Sequence, residues 1–212
     1  MLKSLWRYRN FVYSSIYNEV FYQFVRSKLG GLWFIINPLS QVLIYALILS
    51  NILAAKLPGI DNKYAYAIYL MAGLLGWNLF SDIINRCLVL FIAQANIMKK
   101  ISFPRITLPV IAVGSSIANN LMLLIAILGI FVLLGHQFSL VTLWLIPLTL
   151  LVILFAIGLG LILGVMNVFL RDIGQGFAVI LQVWFWFTPI IYPVNIIPER
   201  YLPLMQLNPM YS

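Results

Sequence analysis

The sequence predicts an all-α integral membrane protein: an N-terminal amphipathic interfacial helix, five transmembrane helices and a proline-rich re-entrant tail. Three observations carry this. Charged residues make up 8% of the chain, against about 25% in a soluble domain. The mean hydropathy is +1.03. The apolar residues also gather in runs long enough to cross a bilayer, which takes about 20 residues per helix. No internal repeat or low-complexity linker separates the runs, so residues 1–212 read as one membrane domain.

Residues 1–28 mix polar and aromatic side chains. Leu5, Val12, Ile16, Val20 and Phe24 recur at helical spacing, with Trp6, Tyr13, Tyr17 and Phe21 beside them. Such an aromatic load suits a helix lying in the interface; an ordinary soluble helix is the alternative. The basic residues Lys3, Arg7 and Arg9 are not followed by a short apolar core and cleavage site, so no cleavable leader is expected. Gly30-Gly31 breaks the pattern, and a first span follows near 32–55. Its Pro38 falls near the start, where proline costs least. A second run, near 64–98, is interrupted by Asp82 and Arg86. At about 1.5 Å per residue it exceeds a straight crossing. Either one long helix tilts and projects, or a span over 64–81 is followed by an interfacial helix. Further spans are predicted near 106–135, 139–170 and 173–192. The tail, 193–212, is apolar but broken by Pro193, Pro198, Pro203 and Pro209, which suits short re-entrant or interfacial helices.

Lysine and arginine set the orientation. With the N-terminus inside, the inner segments hold nine of them: Lys3, Arg7, Arg9, Arg26, Lys28, Lys99, Lys100, Arg105 and Arg171. The outer segments hold three: Lys56, Lys63 and Arg200. The net charge of +8 is thereby explained by orientation in the membrane, without nucleic acid as a partner.

Several local patterns, in order along nearly the whole chain, resemble the ABC-2 type polysaccharide permeases. They are Arg26-Ser27-Lys28-Leu29-Gly30, Trp33 and Asn37-Pro38; Gly76-Trp77; Lys99-Lys100 with Phe103-Pro104 and then Pro109; Asn167-Val168-Phe169-Leu170-Arg171-Asp172; and Thr188-Pro189 with Tyr192, leading to Leu207-Asn208-Pro209-Met210. The resemblance implies a permease subunit of an exporter of O-antigen, capsular polysaccharide or teichoic acid, carried on a lipid. It implies the bacterial inner membrane, a cytoplasmic N-terminus, a second copy of the permease and a pair of ATP-binding cassette subunits. It also implies six spans. Five are predicted here, and the sixth is missing after Ser212, so an inactive truncated permease stands as one alternative.

No Gly-x-x-x-x-Gly-Lys-Ser/Thr loop is present to cradle phosphates. No cofactor is therefore expected in this chain; under the resemblance, ATP and Mg belong to the partner subunit. Force must then enter through cytoplasmic segments. The candidate is the loop over 98–105, with Lys99, Lys100, Phe103, Pro104 and Arg105. Topology alone demands basic residues there, but it does not require an aromatic knob at Phe103 or a rigid stop at Pro104. The resemblance adds the N-terminal helix and the turn at Arg171 and Asp172. Asp172 also fits an N-cap of the fifth helix.

Asp82 and Arg86 are four apart and can face each other on a helix. They either line an aqueous path or the other protomer, or pair without further role at the inner interface. A sugar path needs aromatic faces, and the channel or gate candidates are Tyr69, Trp184, Trp186 and Tyr192. The alternative for the tryptophans is the aromatic belt at the membrane surface. Ala156, Gly160 and Gly164 make a small-residue stripe, to which Gly158 adds, that permits close helix approach, either within the chain or between copies.

A membrane-bound acyl- or glycosyltransferase needs acid, base, nucleophile or metal ligands. One His, one Cys and the acids Glu19, Asp61, Asp82, Asp172 and Glu199 form no such constellation. A secondary transporter tends to show inverted repeats, and none is found. No metal site is expected.

Overall fold

The computed structural model describes residues 6–25, 32–33, 36, 39–40, 65–95, 104, 106–133, 140–192, 194 and 197–211. Among these residues every regular element is helical: α1 (Arg9–Val25), α2 (Ala65–Ala93), α3 (Thr107–Leu133), α4 (Leu145–Phe169), α5 (Asp172–Phe187) and the short α6 (Leu202–Gln206). Three segments are long and apolar enough to cross a membrane: Tyr69–Ala93, Thr107–Gly129 and Thr142–Phe169. They match the second, third and fourth predicted spans. The predicted first span lies almost wholly outside the described residues.

The second run is one continuous helix of 29 residues, which decides between its two readings. At about 1.5 Å per residue it is roughly 44 Å long, so it must tilt or project from a core about 30 Å thick. The fifth run differs from expectation. Its helix has 16 residues and stops at Phe187, short of 192. The cause is Pro189, which disfavours the α conformation at the residue before it. Thr188 is accordingly extended, at φ −99° and ψ 126°.

Helix α2 is the centre of the bundle. Its side chains supply most of the buried core, including Leu70, Leu74, Phe80, Ile83, Ile84 and Cys87. Helices α3, α4 and α5 all pack on it, α4 most extensively. The approach of α4 depends on its small residues. Ala156, Gly160 and Gly164 are buried in one stripe. A Cβ on Gly160 would sit 2.9 Å from Cys87 Cβ, and one on Gly164 would collide with the Cys87 carbonyl oxygen. The stripe therefore serves packing within the chain. Gly158 does not belong to it: two residues from Gly160 it lies on another face of the helix, with open space around it.

Helix α1 packs along α3, where Ile16 sits against Gly114. Val12, Ser15, Ile16, Glu19 and Val20 form the half-buried face. Tyr13, Tyr17 and Phe21 point away, with Tyr17 and Phe21 stacked 5.8 Å apart.

Leucine at Gly164 must push α4 off α2. Overpacking of this kind costs about 1–3 kcal/mol. Gly164→Leu is expected to lower the thermal midpoint in detergent, while Gly158→Leu, facing open space, should leave it nearly unchanged. Equal midpoints for the two variants would contradict the packing described.

Candidate functional site

Two polar clusters mark opposite ends of the bundle. The first gathers at the start of α2, the end of α5 and the tail. Tyr69 Oη donates to the carbonyl oxygens of Pro189 and, at 3.3 Å, of Tyr192. Tyr192 Oη donates to the Trp186 carbonyl at 2.6 Å. Trp184 Nε1 donates to Asn208 Oδ1 at 2.7 Å. The same oxygen accepts from the Met210 amide at 3.0 Å, and Asn208 Nδ2 donates to Thr188 Oγ1 at 3.0 Å. The tail thus folds back and is fastened to the place where Pro189 ends α5. Ile190 of this corner is buried against Gly73 of α2, where a Cβ would come within 2.8 Å.

The structure brings all four channel or gate candidates, Tyr69, Trp184, Trp186 and Tyr192, to this one corner. The two tryptophans then part. Trp184 turns into the bundle, where its ring meets Phe80 edge-on at 5.3 Å and Phe155 at 6.3 Å. Trp186 is 54% exposed and faces outward, as a belt residue does. Beside the corner lies a cavity of about 560 Å3, lined by Tyr69, Trp77, Phe155, Thr188 and Tyr211 among mostly apolar neighbours. Thr188 and Asn208 were not singled out as site residues from sequence. Both stand in motifs that carry the family resemblance, Thr188-Pro189 and Asn208-Pro209, and that was the available signal.

The second cluster lies towards the other end of α2. Arg86 Nε donates to both oxygens of Asp82, at 3.1 and 3.0 Å. Its Nη1 also donates to Glu19 Oε1 of α1. Glu19 Oε2 in turn accepts from Ser115 Oγ of α3 at 2.7 Å. The pair expected from spacing is therefore a node joining three helices. Glu19 was missed, because its partner is 67 residues away in sequence.

Nearby, the α4–α5 turn is clamped by Asn167, which is 3% exposed. Its Nδ2 donates to the Leu88 carbonyl at 2.8 Å, and its Oδ1 accepts from the Gly174 amide at 2.9 Å. Arg171 and Asp172 are exposed beyond this clamp. Asp172 is not an N-cap. Arg171 holds that position, no side chain caps the helix, and Asp172 lies within the first turn. Its negative charge there still complements the helix dipole. Of the basic loop, Lys99, Lys100, Phe103 and Arg105 lie outside the described residues. Pro104 is described, and its carbonyl accepts from the Thr107 amide at 2.9 Å and from Thr107 Oγ1 at 2.7 Å, which ties the loop to the start of α3.

Asn208→Ala removes the acceptor of Trp184 and Met210 and the donor to Thr188. Interhelical hydrogen bonds of this kind average about 0.6 kcal/mol each. Trypsin should then cut after Arg200 severalfold faster in detergent, with Tyr69→Phe changing the rate in the same direction. An unchanged rate would show that the tail is held some other way.

Comparisons with known proteins identify the family. The family model of the ABC-2 type transporter matches residues 12–212. The O-antigen export system permease protein RfbA of Klebsiella pneumoniae is 32% identical over 190 residues, covering 88% of this chain and 70% of that protein. The RfbA of Myxococcus xanthus is 27% identical over 218 residues, covering 100% of this chain and 80% of the relative. The polysialic acid transport protein KpsM of Escherichia coli is 24% identical over 200 residues, covering 91% of this chain and 73% of KpsM. With an apolar bundle that membrane length and composition explain, and a family match over all but its first residues, the chain belongs to the ABC-2 type transporter family.

Proposed function

We propose that this chain is the membrane permease subunit of an ABC exporter that moves lipid-linked polysaccharide across the bacterial inner membrane. The family match over residues 12–212, together with relatives named as O-antigen and polysialic acid transport proteins, is the observation that supports the reading. In this reading the N-terminus is cytoplasmic, five spans cross the membrane and α1 lies at the inner interface. A second copy completes the path, and a separate subunit binds ATP and Mg. The one cysteine, Cys87, is fully buried between helices, which does not suit a nucleophile of a membrane transferase.

The orientation gives each cluster a place. The Tyr69–Tyr192–Asn208 corner lies at the outer end and serves as the gate. The Arg86 node, the Asn167 clamp and the loop over 98–105 lie at the inner end, where the ATPase docks. Phe103 and Pro104 form the docking knob, with Lys99, Lys100 and Arg105 meeting acidic groups. The exposed Arg171-Asp172 turn makes the second contact, and Asn167 links it to α2. Inside the path, aromatic faces and few charges let sugar rings pass without being trapped.

The test is export by the permease reconstituted in liposomes with its ATP-binding subunit. ATP-dependent movement of a lipid-linked polysaccharide is expected from the wild type. Phe103→Ala should keep ATP hydrolysis and lose about tenfold or more in export, the size of a typical coupling free energy. Undiminished export by that variant would remove Phe103 from the docking site. Export driven by an ion gradient without ATP would overturn the exporter reading itself.

A further inference from the structure

Helix α1 leans on α3 but does not pack along α2. Between α1 and α2 lies a cavity of about 410 Å3, with Phe11, Ser15 and Glu19 on one wall and Arg86, Val89 and Leu90 on the other. Close-packed side chains transmit a push because they cannot be compressed. Here the direct route from α1 to α2 is interrupted by the cavity, which Leu108, Ile111 and Ala112 of α3 also line. The ion pair from Glu19 to Arg86 crosses the gap. At its α1 end, Glu19 is braced by Ser115 of α3, which is fully buried. At its α2 end, Arg86 is braced by Asp82, one turn back on its own helix. Both charges are therefore fixed on their own side of the gap. All three ionic side chains are more than half shielded, at 23%, 34% and 39% exposure for Arg86, Glu19 and Asp82, so screening by water is reduced.

We propose that Glu19 and Arg86 form a strut that passes a displacement of α1 to α2, the helix on which the rest of the bundle is packed. They are positioning residues: they act on the path through α2 and touch neither sugar nor nucleotide. The inference rests on the exporter reading. It adds a specific link by which movement at the cytoplasmic face reaches the central helix. The cavity beside the strut leaves α1 without close packing against α2 on that side.

The test measures export and ATP hydrolysis together in the reconstituted complex. Glu19→Gln keeps the shape and a hydrogen bond to Ser115 but removes the charge that Arg86 holds. It should lower export per ATP hydrolysed at least fivefold, with hydrolysis within twofold of the wild type. Glu19→Asp, which keeps the charge, should recover part of the loss. In a Cys87→Ala background, an Ile16→Cys/Gly114→Cys disulfide should form in both wild type and Glu19→Gln, showing that α1 still sits on α3. Unchanged export per ATP in Glu19→Gln would overturn the strut. So would loss of that disulfide in step with export, since Glu19 would then merely seat α1 on α3. A wild type that exports nothing with ATP would instead refute the exporter reading, and the strut with it.

Discussion

The close approach of α4 to α2 at Cys87 is the constraint on which the rest of the structure depends. In a membrane the hydrophobic effect does not drive helices together, because lipid tails are as apolar as the side chains. Association comes from close van der Waals contact and from polar groups that lipid cannot satisfy. Gly160 and Gly164 remove the side chains that would hold the two backbones apart, and Cys87 fills the space with a small, polarisable group. With α4 seated, Phe155 stacks on Phe80 at 5.6 Å, and Trp184 of α5 closes over both. Helix α5, with 16 residues, is shorter than its neighbours, and it takes its position from this aromatic contact and from the Asn167 clamp.

Around that frame, polar fastenings hold what packing leaves loose. At one end Asn208 and Tyr69 secure a tail of short helical turns that has little buried surface of its own. At the other end Glu19 and Arg86 join an N-terminal helix whose outward face is aromatic and exposed. These are the parts expected to move in a transporter, and hydrogen bonds and ion pairs suit them. Such links can break and re-form, whereas interlocked side chains have one arrangement. A rigid α2–α4 pair with fastened ends therefore combines a fixed centre with ends that can rearrange.

Much of this was legible in the sequence where the signal was local. Hydropathy located α2, α3 and α4, and spacing gave the Ala156-Gly160-Gly164 stripe and the Asp82–Arg86 pair. Nonlocal facts were not legible. Nothing in residues 1–28 says that Glu19 will meet a guanidinium on another helix. Trp184 and Trp186 look alike in sequence, but two residues on a helix lie about 200° apart, so one turned inward and the other out. The end of α5 was misplaced because hydropathy continues through Ile190 and Ile191 after Pro189 has stopped the helix. The small error at Asp172 has a similar origin: the turn at Arg171 begins the helix one residue earlier than charge patterning suggests.

The central structural claim is that α2 and α4 meet closely around a sealed Cys87, and the protein's single thiol reports on it directly. The measurement is the rate of labelling of that thiol by a membrane-permeant maleimide, in intact membranes and after denaturation in detergent. The account predicts negligible labelling in membranes and complete labelling once the helices separate. Rapid labelling in intact membranes would contradict it, because the frame that positions both ends would then be open.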